Sequence, residues 1–272
     1  MRGACGAIFS GVDVRDYKMV CAAPNTEFPK EFKLPIVRIK NQMDTGSCVA
    51  HSLSSIIEYY NVKQHNDATE MSVGYIYGNR TNSEHKEPGM IMRDALDVVA
   101  KYGDVPQRYF PYNEETPNAI DLYECAADDL YEVGRPCRIS EYCRINTVAA
   151  AKLALMSGIP LLMAMEWYDD MEVDEFGVLH TNYVGYAGGH CMFIYGWNEH
   201  GWKIQNSWGK DWGIGGCFVL PYEMGMAECW AVMDDIIEGV YIEKPFRSRV
   251  GRAFAKVVNK VANILQNGRR SV

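Results

Sequence analysis

No apolar run in these 272 residues approaches the roughly 18 needed to span a bilayer, which argues against a membrane-spanning role. The first ten residues hold one arginine and a short, broken apolar stretch, too little for a secretory signal. Positive charge is short as well. With 27 Lys+Arg against 35 Asp+Glu the net charge is -8, which argues against a nucleic-acid binder for the chain as a whole. Internal repeats and low-complexity segments are missing. Cysteine is not scarce, but its count is odd: the nine at positions 5, 21, 48, 125, 137, 143, 191, 217 and 229 leave at least one thiol unpaired within the chain. Reduced thiols follow, as in a cytoplasmic protein or one delivered or assembled into a larger particle.

What is present suits a sizeable core, since 48% of residues are apolar and 12% aromatic. Three segments differ in character. Residues 1–30 scatter Gly, Pro and Asn without a period and read as an irregular extension along the body. Residues 31–245 carry the periodic signals. Residues 246–272 hold seven basic residues and no acid, which leaves 20 basic against 35 acidic residues, a net -15, on the rest.

In the middle segment, Leu53, Ile56, Ile57 and Tyr60 recur at helical spacing behind Cys48. A second helix is expected through Met92, Ala95, Leu96 and Val99, closed by Gly103. A third is expected from a Thr147 cap to Met156. After Gly158 the pattern changes to short apolar runs, Pro160–Met165, Cys191–Trp197, Trp202–Gln205 and Gly216–Pro221, which read as strands. A hairpin over Asn198–Gly201 brings His190 and Asn206 to one end of a sheet.

A thiol attacks an amide only as thiolate, so a nucleophilic cysteine needs positive potential: a helix N-terminus, or better an imidazolium held by an amide side chain. Cys48, His190 and Asn206 supply those types. Gln42-Met43-Asp44-Thr45-Gly46-Ser47-Cys48, with His190 within the interval of about 130–150 residues downstream, resembles the papain and cathepsin family of cysteine peptidases. So does Asn206-Ser207-Trp208-Gly209 followed by Trp212-Gly213 and Gly216. Weaker likeness covers Ala95–Tyr112, and the whole spans about residues 34–222.

The resemblance implies a two-lobed α+β fold, with a helical lobe at about 45–140, a β-barrel-like lobe at about 145–240, and the active site in the cleft between them. It implies Cys48 as nucleophile, His190 as general acid/base, Asn206 orienting it under Trp208, and Gln42 with the Cys48 N–H as oxyanion donors. Gly89 and Met90 fall on the substrate edge, with Ile91, Met92, Gly188 and Gly189 around an apolar second specificity pocket. Peptide or protein is the implied substrate, without metal or organic cofactor. Two departures stand out: Thr45 replaces a usual disulfide cysteine, and Val49 replaces the usual aromatic. No prosegment of the family's usual length precedes the domain here, so self-inhibition falls to residues 1–30 lying across the cleft. The compact, disulfide-poor form suggests a bacterial, phage or other viral origin.

Other readings stay open. A catalytically silent binding module, an exopeptidase or a hydrolase of other amides uses the same fold. His51, one helical turn after Cys48, is a second candidate base. Cys125, Cys137 and Cys143 have the wrong spacing for a zinc site and read as ordinary thiols. The acidic stretch Glu166–Glu175 is a solvated loop or a site for basic substrates. The tail's Val250, Phe254, Val257, Val258, Val261, Ile264 and Leu265 make an apolar helical stripe. That stripe packs on the acidic body, docks a protein partner, or lies on an anionic membrane surface through residues 247–272.

Overall fold

A computed structural model describes residues 4–19, 27–80, 88–111, 127–234 and 242–243. The expectations for Tyr112, Cys21, Cys125 and the tail from 247 lie outside these residues.

The first long element is α1 (Cys48–His65), whose residues 48–61 are all buried. An ordinary amphipathic helix shows solvent one polar face, whereas here every face is packed, and its polar groups find partners inside. Ser52 and Ser54 donate to the Cys191 and Met71 carbonyls, and Glu58 meets Lys40 at 2.8 Å with both side chains buried. Lys40 is two residues ahead of Gln42, so this buried pair ties the chain entering the site to the helix carrying Cys48. Breaking one partner of such a pair costs about 3–5 kcal/mol.

Around α1 lie α2 (Val73–Gly78), α3 (Met92–Tyr102) and α4 (Ala127–Gly134). Gly103 closes α3 at φ 74°, and a Cβ there would meet the Gly134 carbonyl oxygen at 2.0 Å, so the glycine allows α3 and α4 to close on each other. α5 (Val148–Met156) begins at Thr147, whose hydroxyl accepts the Ala150 N–H at 3.1 Å.

The other half is a nine-stranded sheet. Its strands include β5 (Glu141–Arg144), β6 (Leu161–Tyr168), β9 (Tyr186–Trp197), β10 (Gly201–Gln205), β11 (Cys217–Pro221) and β12 (Glu228–Met233). They run in the order β11-β10-β9-β6-β12-β5, continued by β2 (Lys18–Met19) and β13 (Ile242–Glu243), with β3 (Phe32–Lys33) pairing beside β9. The reading of residues 1–30 as irregular misses β1 (Ala7–Ile8), paired to β4 (Met90–Ile91), and β2. A two-residue strand leaves no period to read. β9 also starts earlier than the apolar run suggests, at Tyr186, because Gly188 and Gly189 pair with Trp167 and Glu166 without contributing alternation.

The acidic stretch contains β7 (Glu172–Val173), paired to β8 (Leu179–His180). Asp170 accepts from the Thr181 hydroxyl and the Asn182 and Val184 N–H groups, and Asp174 accepts from His180 and the Phe176 and Val178 N–H groups. Those two acids fold the loop. Among the described residues no helix is long and apolar enough to cross a membrane.

Candidate active site

β9 carries His190 opposite Met165 of β6, and Asn206 directly follows β10. Asn206 Oδ1 accepts the Ser207 N–H at 2.8 Å, which identifies it as the amide oxygen, and it lies 2.8 Å from His190 Nε2. Nε2 is therefore the donor. The other ring nitrogen, Nδ1, is buried without a hydrogen-bond partner and is the basic one in the neutral ring. Trp208 stacks on the imidazole at 4.5 Å and 22°, and Trp167 packs edge-on at 5.2 Å. This aromatic cover keeps water from the Nε2 bond, and a low local dielectric strengthens it.

Cys48 opens α1, where unsatisfied backbone N–H groups give a partial positive end. Gln42 is held to the sheet side: its N–H donates to the Ser207 carbonyl at 2.7 Å, and Ser207 Oγ donates to Gln42 Oε1 at 2.6 Å. That fixes Nε2 as the outward donor. Ser207 was missed as a positioning residue, although it stands inside the Asn-Ser-Trp-Gly motif. Trp167 left no signal, since one aromatic in a strand is ordinary. His51 turns inward, with Nδ1 3.1 Å from Ser47 Oγ and from the Ser47 carbonyl oxygen.

The cleft edge is occupied by the chain itself. Gln42 Nε2 donates to the Ala4 carbonyl at 2.7 Å, and the Cys48 sulfur receives the Gly6 N–H. Met90 N–H donates to the Gly6 carbonyl at 2.9 Å, and β1 then runs parallel to β4, Ala7 beside Met90 and Ile8 beside Ile91. On the opposite wall Cys5 lies against Gly188, and the Ala7 carbonyl against Gly189. A Cβ on Gly6 would meet the Gly46 oxygen at 2.0 Å, and one on Gly189 the Ala7 oxygen at 2.2 Å, so the segment fits because neither has a side chain. Met90 and Met92 are buried and Ile91 is half-buried. The expected substrate-edge residues Gly89, Met90, Ile91, Gly188 and Gly189 thus converge on one extended peptide.

Covering the site changes its charge state. Cys48 and His190 are both fully buried. Burial pushes the Cys48 thiol up to about 11 against the pull of the Cys191, Gly6 and Val49 N–H groups. Burial likewise drives His190 down to about 4, although its bond to Asn206 opposes this. The sequence leads one to expect a thiolate beside an imidazolium. The covered site instead holds a thiol and a neutral imidazole, because loss of solvent outweighs the helix terminus and the amides. Among the described residues no group of three or more His, Cys, Asp or Glu could hold a metal ion.

Comparison with known proteins bears on this constellation. Residues 26–234 match the family described as papain family cysteine protease. An uncharacterised peptidase C1-like protein of Acanthamoeba polyphaga mimivirus is 27% identical over 203 residues, 67% of this chain and 64% of the relative. A cathepsin B-like protein of Giardia intestinalis is 43% identical over 128 residues, 44% and 42% of the two chains. The chain thus spans under two thirds of the length of both relatives. In fold it is similar to xylellain, a cysteine protease of Xylella fastidiosa, with TM-score 0.73 at 23% identity over 85% of this chain and 96% of that one. It is likewise similar to a procathepsin B of Trypanosoma congolense, with TM-score 0.65 at 18% identity over 85% and 87%. With the family match covering most of its length, the chain belongs to the papain family of cysteine proteases.

Proposed function

We propose that this chain is a cysteine endopeptidase, here in a latent form. Cys48 Sγ, as thiolate, attacks a peptide carbonyl carbon, and the resulting oxyanion takes hydrogen bonds from Gln42 Nε2 and the Cys48 N–H. Protonated His190 then gives its proton to the departing amine, the C–N bond breaks, and a thioester remains. A water deprotonated by His190 hydrolyses it and returns the thiol. Asn206 acts through His190 by fixing the tautomer in which Nδ1 faces the reaction, and Trp208 shields that bond.

The observation that supports this reading best is a peptide carbonyl, that of Ala4, already bound at 2.7 Å to the Gln42 amide, the group assigned here to the oxyanion. Met90, Ile91 and Met92 favour an apolar side chain in the adjoining pocket. The cysteine count favours a reducing compartment. Residues 247–272 are proposed on sequence alone to meet a protein partner or an anionic surface, and their deletion should then change complex formation or localisation.

A thiol-directed peptide epoxide tests the assignment. Once the cleft is uncovered it should alkylate Cys48, as mapped by mass spectrometry, with labelling lost in His190→Ala. Uncovered protein that neither labels at Cys48 nor hydrolyses a peptide library would return the chain to a silent binding module, a reading favoured only by the filled cleft.

A further inference from the structure

The segment over the site carries a thiol of its own. Cys5 stands between Ala4, whose carbonyl takes Gln42 Nε2 at 2.7 Å, and Gly6, whose N–H meets the Cys48 sulfur. Only the two bonds of a peptide unit, about 2.4 Å across, separate Cys5 Cα from the nitrogen that donates to Cys48 Sγ. Cys5 Cβ lies 3.0 Å from the place a Gly188 Cβ would take, so a missing side chain lets Cys5 settle beside the strand that carries His190. Neither Cys5 nor Cys48 is in a disulfide. Burial pushes the Cys5 thiol up to about 12, and the nearness of Cys48 adds to that, so the two sulfurs feel each other's charge. A disulfide needs Cα atoms about 4.4–6.8 Å apart, and a segment hydrogen-bonded to the sulfur itself is a small shift from that spacing.

An anchor brings Cys5 back whenever the segment lifts, because residues 4–19 are held in two different ways. Residues 4–10 rest on backbone contacts to Gln42, Cys48 and Met90, and on the Ser10 N–H, which meets Glu228 Oε2 at 2.7 Å. Residues 16–19 belong to the body. The buried Asp16 carboxylate takes Arg93 Nε at 2.9 Å and Nη2 at 2.8 Å, and Arg144 Nε at 3.0 Å. The Arg144 N–H donates to the Tyr17 carbonyl at 2.7 Å, and β2 sits between β5 and β13. Gly11 and the exposed Val12 and Val14 join the two parts. A short tether of this kind keeps Cys5 at about millimolar effective concentration over Cys48. Cys191, the other thiol near Cys48, lacks that freedom: it is fully buried within β9, opposite Ala164.

We propose that Cys5 is the resolving thiol of a reversible oxidative latch, which ties the segment over the cleft by a Cys5–Cys48 disulfide when hydrogen peroxide reaches the site; this rests on the reading of Cys48 as the reactive thiol. With the segment lifted, the Cys48 thiolate attacks one peroxide oxygen and the O–O bond breaks. Cys48 becomes a sulfenic acid, and the other oxygen leaves as hydroxide and takes up the proton the thiol gave. The segment then returns and Cys5 Sγ attacks Cys48 Sγ. The S–O bond breaks, and the hydroxyl leaves with the Cys5 proton as water. In sum two thiols give up two electrons and one peroxide becomes two waters. A dithiol reverses the linkage by thiol–disulfide exchange. While closed, the latch stops hydrolysis and spares Cys48 the irreversible sulfinic state.

The test treats the full chain and its Cys5→Ser variant with hydrogen peroxide, blocks the remaining thiols with an alkylating agent in denaturant, and maps every cysteine by mass spectrometry with and without dithiothreitol. In the parent, Cys5 and Cys48 should be recovered as one linked pair of peptides, and dithiothreitol should make both alkylatable. In Cys5→Ser no such pair forms, and Cys48 sulfinic acid should exceed the parent's at least about tenfold. The parent's own map decides the matter should the variant misfold. Cys48 oxidised while Cys5 stays free, Cys48 linked to Cys191 instead, or Cys5 linked as often to the half-buried Cys137 or Cys217 overturns the inference. So does a Cys48 that stays a free thiol throughout, or equal sulfinic acid in the two chains. Peptide hydrolysis by reduced, uncovered chain is measured separately: the linked pair without hydrolysis upholds the latch and refutes the peptidase reading, and hydrolysis without the pair does the reverse.

Discussion

The two sides of the cleft differ in whom they serve. On the sheet side, His190, Asn206, Trp208 and Trp167 are joined to one another and to the body, and none of their bonds depends on residues 4–10. On the helix side, Cys48 and Gln42 each spend a hydrogen bond on that segment. In the proposed mechanism the proton-handling half is thus built by folding, while the residues assigned as nucleophile and oxyanion donor are engaged by a peptide of the chain's own. On that reading, uncovering the site requires no rearrangement of the sheet, only departure of the peptide.

Cys48→Ala gives the largest effect. In chain freed of its segment it removes the atom that forms the thioester, so hydrolysis should fall about 10⁶-fold, to the level left when a triad nucleophile is lost. Melting temperature should change little, and initial rates with a fluorogenic peptide measure the loss. Gln42→Ala comes next and separates the two sides. In freed chain it should lower kcat about 10²–10³-fold, the usual cost of one oxyanion donor. In intact chain the same change removes the bond to Ala4, so epoxide labelling of Cys48 should rise. A fall in both assays would mean that Gln42 does not hold the segment.

Acidity should distinguish the two parts of the leading stretch. His190 is depressed to about 4 from an ordinary 6.5, so the covered state binds fewer protons than the uncovered one between those values and loses stability as pH falls through that window. Cys48, raised to about 11 from 9, acts in the opposite sense, favouring uncovering as pH rises above 9. Taken against free-solution values for the uncovered groups, the cover is tightest between about 6.5 and 9, with up to about two decades of loosening on the acid side; an uncovered thiolate–imidazolium pair would narrow that acid limb. For Asp16, burial raises the carboxyl, but the bonds from Arg93 and Arg144 prevail and hold it below its ordinary 3.8. Its contribution is present above that value and is lost only as pH falls further. Hydrogen exchange, corrected for its intrinsic pH dependence, should speed at the Met90 N–H between pH 6.5 and 4 while the Arg144 N–H stays protected. Exchange of both together would merge the two parts into one.

How much of this could be read beforehand follows from the kind of signal each feature leaves. α1, α3, α5 and the strands after Gly158 have enough residues to show a period, and Thr147 and Gly103 mark their ends. His190, Asn206 and Trp208 stood in motifs whose residue types the chemistry demands. The ionisation state was misjudged because it depends on burial, which no local pattern reports. β1, β2 and the Asp16–Arg93–Arg144 cluster were illegible for a related reason: each joins positions far apart in the chain, 77 and 128 residues in the cluster, through contacts that leave no spacing rule. The cover itself was anticipated only as a possibility for residues 1–30, since a backbone-bound peptide needs small side chains more than particular ones.

That last point yields the finest test. Gly6→Ala adds one methyl where the Gly46 carbonyl oxygen stands 2.0 Å away, and the neighbour is backbone, so one of the two chains must shift. Gly46 is fixed two residues before α1, whereas Gly6 is held by a few backbone bonds, so the segment should be the one to yield. Overpacking of this kind costs about 1–3 kcal/mol, and charged to the covered state it corresponds to roughly a 5- to 150-fold rise in Cys48 labelling of intact chain. Freed chain no longer contains residue 6, so its activity should equal that of the parent. A matched loss of stability in the body, without increased labelling, would show that the site moved to accommodate the methyl and that the segment is as firmly built in as the sheet.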